Sequence, residues 1–216
     1  SMATHPPFLA LAALVLTVPT TAQEASEGPR RIAVTGTPVR SHLDLASGVI
    51  TTLPAAQRGA TAAATSTCFA NSNDEDPAAV SSFADALLVD GGDELVDWGV
   101  MFCENGALVE AIEIGYASQQ PPSIGCSLTL RFYAGYQGLG TSGSLVAEVQ
   151  IDGLPSDGPQ IPLIPRYVHV DLGDEAFFLP EGPIGWSYTN DDGLTAPLMV
   201  DMSPDIGNQN WLDWYS

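Results

Sequence analysis

The chain has 216 residues, of which 26 are acidic and six basic, for a formal net charge of −20, and all six basic residues are arginine. Nucleic-acid binding rests on counterion release by Lys and Arg, so this balance excludes nucleic acid as a partner and leaves cations and neutral glycans. The lack of lysine also excludes a phosphate loop ending in Gly-Lys.

From the start, an apolar run, Phe8 to Val18, is followed by Pro19, Thr20, Thr21, Ala22 and Gln23. The run is too short to span a bilayer as a helix, and the small residues Thr20 and Ala22 fit a cleavage pattern. The expectation is a signal peptide over 1-22 and a mature chain from Gln23, although Ser1 to Pro7 offers only His5 where a basic residue is usual. The protein is therefore expected to be secreted, extracellular or in the cell envelope, with no membrane span after the leader. The mature length suits one domain with a real core and is short for two.

Residues 23-64, rich in Ala, Thr, Gly and Pro with Arg30, Arg31 and His42, read as a low-complexity arm or linker with room for one edge strand. Residues 65-216 read as the folded domain. Within it, Asp76 and Pro77 fit the start of a short helix carrying Val80, Phe83, Leu87 and Leu88 at helical spacing. A loop leading into a strand at Leu87 to Val89 fits equally.

Beyond that point the pattern is short alternating segments between Gly, Pro and Asp clusters. Over Cys126 to Ala134, Cys126, Leu128, Leu130, Phe132 and Ala134 point one way and Ser127, Thr129, Arg131 and Tyr133 the other. Leu145 to Asp152 and Tyr167 to Leu172 alternate likewise. Further strands are expected at Leu95 to Cys103, Leu108 to Tyr116, Ile184 to Thr189, Leu198 to Ser203 and Trp211 to Tyr215. The last has no tail behind it, which points to a natural chain that continues. One-sided alternation in seven or more strands argues for antiparallel sheets with one wet face each. The fold expected is all-β, an antiparallel two-sheet β-sandwich of jelly-roll kind.

Several blocks in order, Asp97-Trp98-Gly99-Val100 with Cys103, Ile114-Gly115-Tyr116-Ala117, Leu130-Arg131-Phe132-Tyr133, Gly153-Leu154-Pro155 and Gly182-Pro183-Ile184-Gly185-Trp186-Ser187-Tyr188, span about Asp93 to Val200. In these the chain resembles uncharacterised exported bacterial β-sandwich proteins. The resemblance implies fold and export, and carries no activity or site residue.

Catalytic motifs are absent: there is no Gly-x-Ser-x-Gly elbow and no His-Glu-x-x-His, and His42 and His169 stand in no catalytic context. Glu110 and Glu113, three apart on a strand, point to opposite faces and cannot form a glycosidase pair. Glu110 falls on the apolar side of Leu108, Ile112 and Ile114, where a core-facing carboxylate must find a partner or stay protonated, the other reading being a rim position that reaches water or Arg131.

Acidic turns are the candidate metal ligands: Asp74, Glu75 and Asp76; Asp90 and Asp93; Asp191 and Asp192. Calcium takes six to eight oxygen ligands that such loops can supply, but none matches an EF-hand, and Asp, Asn and Gly are also the ordinary stuff of turns. The acidity fits equally a surface adapted to salty water, where screening removes self-repulsion. The three cysteines, Cys68, Cys103 and Cys126, imply one disulfide and one free thiol in an oxidising compartment, with the pairing open. Ring faces for a sugar are offered by Tyr133 and Tyr167 on outer strand faces and Tyr136 in a glycine-rich loop, whereas Trp98, Trp186 and Tyr188 read as core.

Together these point to a non-catalytic surface or extracellular binding or structural module, with calcium as a candidate stabilising ion and a glycan or cell-surface partner. The alternative is a glycan-active enzyme of sandwich fold.

Overall fold

The computed structural model describes residues 30–53, 69–70, 85–138, 140–160, 162–189, 191–199 and 213–215. The expected signal peptide, the turn Asp74-Glu75-Asp76 and the helical alternative after Pro77 lie outside them; the strand alternative has its counterpart at Asp85–Leu88. Regular structure among the described residues is β-strand, apart from one 3-10 turn at Gly173–Glu175. No helix among them is long and apolar enough to cross a membrane.

The strands in chain order are β1 (Arg30–Ala33), β2 (Val39–Asp44), β3 (Val49–Thr52), β4 (Phe69–Ala70), β5 (Asp85–Leu88), β6 (Glu94–Met101), β7 (Ala107–Val109), β8 (Ala111–Ser118), β9 (Cys126–Ala134), β10 (Ser144–Leu154), β11 (Arg166–Asp171), β12 (Phe177–Leu179), β13 (Gly182–Thr189), β14 (Thr195–Met199) and β15 (Asp213–Tyr215). A seven-stranded sheet runs β1-β5-β14-β8-β11-β2-β3, and a six-stranded one runs β10-β9-β13-β6-β15 with β4 also on β6. β7 and β12 form a small pair.

The arm expectation is corrected. Three strands fall in its described residues, and β2 lies inside the sheet, between β11 and β3. Ser41 and Leu43 point into the protein and are buried, while His42 and Asp44 stand on the other side. Four Arg, Ser, His and Asp residues in six hide that alternation from a hydrophobicity reading. β2 pairs parallel to β11, whereas the other strand pairings among the described residues are antiparallel. The two strands are remote in sequence, so no hairpin dictates their direction.

Alternation accounts for what is buried. The largest apolar cluster draws Leu43, Ile114, Tyr116, Val168 and Val170 from the seven-stranded sheet and Cys126, Leu128, Leu130, Val149, Ile151, Leu154 and Tyr188 from the six-stranded one. Two large aromatics depart from the core expectation: Trp98 and Trp186 are only half-buried. Glu110 sits exposed at the break between β7 and β8, so it does not face the core, and its carbonyl accepts from the Leu172 amide. Cys103 is disulfide-bonded and Cys126 is a free, buried thiol, which leaves Cys68, outside the described residues, as the third cysteine. Burial pushes the Cys126 thiol up, away from the reactive thiolate.

Candidate functional site

On the outer face of the six-stranded sheet, register aligns residues from three strands. Tyr133 of β9 lies opposite Gly185 of β13, which lies opposite Trp98 of β6. The next row is Arg131, Ser187 and Val96, and the next Thr129, Thr189 and Glu94. Residues directly opposite in antiparallel strands share a face, so Tyr, Trp, Arg and Glu meet on one surface.

Glycine makes room for a third ring. A Cβ on Gly185 would come within 2.7–2.9 Å of Tyr136, and one on Gly143 within 2.7 Å of Tyr133 and 2.9 Å of Tyr136. Tyr136 therefore folds back onto the sheet, with its ring centroid 6.3 Å from that of Tyr133. Glu94, Val96, Tyr133, Tyr136, Thr141 and Gly143 line a shallow recess of about 180 Å³. Tyr136 itself is 5% exposed, so it closes the recess more than it offers a free ring face.

The polar side of the recess is a linked network. Glu94 Oε1 accepts from the Tyr133 hydroxyl at 2.7 Å and from Ser187 Oγ, and lies 3.5 Å from Arg131 Nη1. Arg131 Nε donates to Glu148 at 2.6 Å and its Nη1 to Thr189 at 3.3 Å. The Glu148 hydrogen bond, partly offset by burial and supported by the Glu94 charge, holds the Arg131 guanidinium above its ordinary value. Arg131 was a prospective partner for Glu110; its carboxylates are instead Glu94 and Glu148.

Burial and the hydrogen bond to Glu94 push the Tyr133 hydroxyl up to about 12. Tyr116, Tyr167 and Tyr188 are raised further, burial being the main cause in each. The unfolded chain ionises its tyrosines near pH 10. The neutral phenols thus contribute stability that is full below about pH 10 and is lost as pH rises through 12 and beyond. With no lysine to titrate in this range, the melting temperature is expected to hold level to about pH 8 and then to fall, first as the Cys126 thiol of the unfolded chain ionises and more steeply once its tyrosines do. A melt series that stays flat to pH 12 would contradict these shifts.

The remaining sequence candidates fall elsewhere. Tyr167 is on the outer face of the other sheet, half-buried, with the Arg40 guanidinium 4.9 Å above its ring. That face of the ring is covered by Arg40, so Tyr167 does not join the recess. The turn of Asp90 and Asp93 does meet the turn of Asp191 and Asp192: a Cβ on Gly91 would lie 2.9 Å from the Asp191 carbonyl oxygen. However, Asp192 Oδ1 accepts from the Leu194 and Thr195 amides at 2.7 and 3.0 Å and its Oδ2 pairs with Thr195 Oγ1 at 3.2 Å, as a turn-closing aspartate does. Asp93 is buried, and its amide donates to Asp90. A larger recess of about 490 Å³, with Glu148, Asp174 and Glu175 on its wall, carries no ring.

One grouping has no signal in any single stretch of sequence. Among the described residues, the cluster with three side chains placed to hold a metal ion is His42, His169 and Asp171, on the outer face of the seven-stranded sheet.

Compared with protein-family models, curated proteins and solved structures, the chain matches none.

Proposed function

We propose that this chain is an exported, non-catalytic two-sheet β-sandwich module, of jelly-roll kind, that binds a neutral glycan at the Tyr133–Tyr136–Glu94 recess. The observation that carries it is the half-buried Tyr133 ring standing in the recess beside the Glu94 carboxylate, with Tyr136 closing the recess over Gly185, since a ring beside polar groups is what a pyranose face needs. The two sheets contribute to one apolar cluster, which supports the sandwich, and the apolar leader and the resemblance to exported proteins support secretion. A volume of about 180 Å³ is below the roughly 300–1,000 Å³ of drug-sized ligand sites, so one saccharide unit or a chain end is what fits.

Against the enzyme alternative stands the arrangement of carboxylates. A glycosidase needs two of them facing one sugar across roughly 5–9.5 Å of open space. The carboxylate lining this recess is Glu94, and it is tied to Tyr133, Ser187 and Arg131. Asp192 enters as a turn-closing residue rather than as a calcium ligand, because its carboxylate already accepts from the Leu194 and Thr195 amides and pairs with Thr195 Oγ1.

The test is a glycan array probed with the full chain, followed by titration of any hit against Tyr133→Ala. Truncating a central interface tyrosine is expected to weaken binding by at least about tenfold. A hit whose affinity ignores Tyr133→Ala would remove the recess from the proposal. An array with no hit would replace it with a structural envelope component.

A further inference from the structure

We propose that His42, His169 and Asp171 form a surface site for a divalent transition cation, with zinc as its representative. β2 and β11 pair in parallel with His42 directly opposite His169, and Asp171, two residues on, shares the face of His169. Both imidazoles turn their Nε2 atoms to one carboxylate, His42 at 2.7 Å from Oδ2 and His169 at 3.3 Å from Oδ1. The rings stack with centroids 5.7 Å apart and planes 15° from parallel, and the three ligand atoms all lie within 4.8 Å of one another.

The dimensions suit a tetrahedral ion. Zinc lies about 2.0–2.1 Å from imidazole nitrogen and carboxylate oxygen, so two ligands on a tetrahedron stand roughly 3.3 Å apart. The distance from His169 to Asp171 Oδ1 already has that value, while His42 sits 2.7 Å from the other oxygen, Oδ2, so a small rotation of these exposed side chains is what brings both imidazoles to an ion held by one carboxylate oxygen. The ligands stand on two hydrogen-bonded strands inside the sheet, so the backbone ladder holds them in place without ordering a loop. All three side chains are 35% exposed or more, leaving the fourth position to water or to a donor from outside.

Ligand type selects the cation. Two imidazoles with one carboxylate suit zinc, copper or nickel, whereas calcium and magnesium take oxygen ligands and a larger set of them. The neighbours complete the face without supplying a better donor: Glu113, opposite His169 on β8, is ion-paired with Arg40 at 3.5 Å, and Asp44 accepts from the Ser47 amide at 3.2 Å. The site is on the other sheet from the tyrosine recess and does not depend on it.

The experiment is calorimetric titration of the untagged full chain with zinc chloride, in parallel with the nitrogen-15 imidazole spectrum of the same sample. One saturable equivalent at micromolar zinc is expected, persisting in millimolar calcium, with two of the three histidines shifted. Losing an outer partner of a metal-bound histidine typically costs about 10–100-fold in affinity, so His42→Gln or His169→Gln, which removes a ligand, is expected to cost at least that. Absence of a saturable equivalent, binding that calcium displaces, affinity unchanged in both variants, or imidazole signals that do not move would each overturn the site. The spectrum of the unmutated chain decides the matter even where a variant fails to fold.

Discussion

Asp157→Ala is expected to lower the unfolding free energy by about 3–5 kcal/mol, because it leaves the Arg166 guanidinium charged and unpaired in a site almost closed to water. Arg166 opens β11, and its Nε donates to Asp157 Oδ2 at 3.1 Å while its Nη2 donates to Oδ1, a two-pronged pair. The side chains are 14% and 8% exposed. Burial alone would pull the Arg166 guanidinium down, yet hydrogen bonding and the charge of Asp157 outweigh it and hold it above its ordinary value. Denaturant unfolding of Asp157→Ala measures the loss. Replacing both partners at once, Asp157→Leu with Arg166→Met, should recover most of it, since a well-packed apolar pair is often as stable as a buried ion pair. A loss under about 1 kcal/mol in the single variant would mean that water reaches the pair as at a surface salt bridge.

Leu128→Ala is expected to cost about 2–5 kcal/mol, the range for truncating a large buried aliphatic side chain. Leu128 is 0% exposed, and the cluster around it mixes residues of both sheets, so the cavity falls where the sheets meet. In a chain of this size each kcal/mol shifts the melting midpoint by about 2–4 °C. Leu145→Ala, on β10, is the control: Leu145 is 56% exposed, and surface substitutions of this kind stay within about 0.5 kcal/mol. Equal losses at the two positions would place Leu128 outside any shared core.

The strands were legible where one face was apolar. Cys126 to Ala134 coincides with β9, and the alternation of Tyr167 to Leu172 places β11 to within a residue at each end. Leu108 to Tyr116 was legible as extended chain, but not its break at Glu110, where β7 turns to pair with β12 and β8 with β11 and β14. Of the site, Tyr133 and Tyr136 are legible in the sequence, and Glu94 is not. Nothing local marks Glu94 as the acceptor for Tyr133 and Ser187, because those partners come from two other strands. His169 and Asp171 could have been put on one face by their spacing of two; His42 could not, since its place beside them comes from a parallel pairing across remote sequence.

The sequence by itself determined the strongly acidic charge balance of this protein and the alternation that makes strands of it, because charge and period-two patterning are local properties that survive without knowledge of any partner. Only the tertiary structure decided which strands became neighbours. That choice drew β2 out of an arm and into a sheet, laid Tyr136 over Gly185 and set two histidines on one aspartate. Pairing between distant strands is settled by the burial and hydrogen bonding of the whole fold, to which no short window of residues has access.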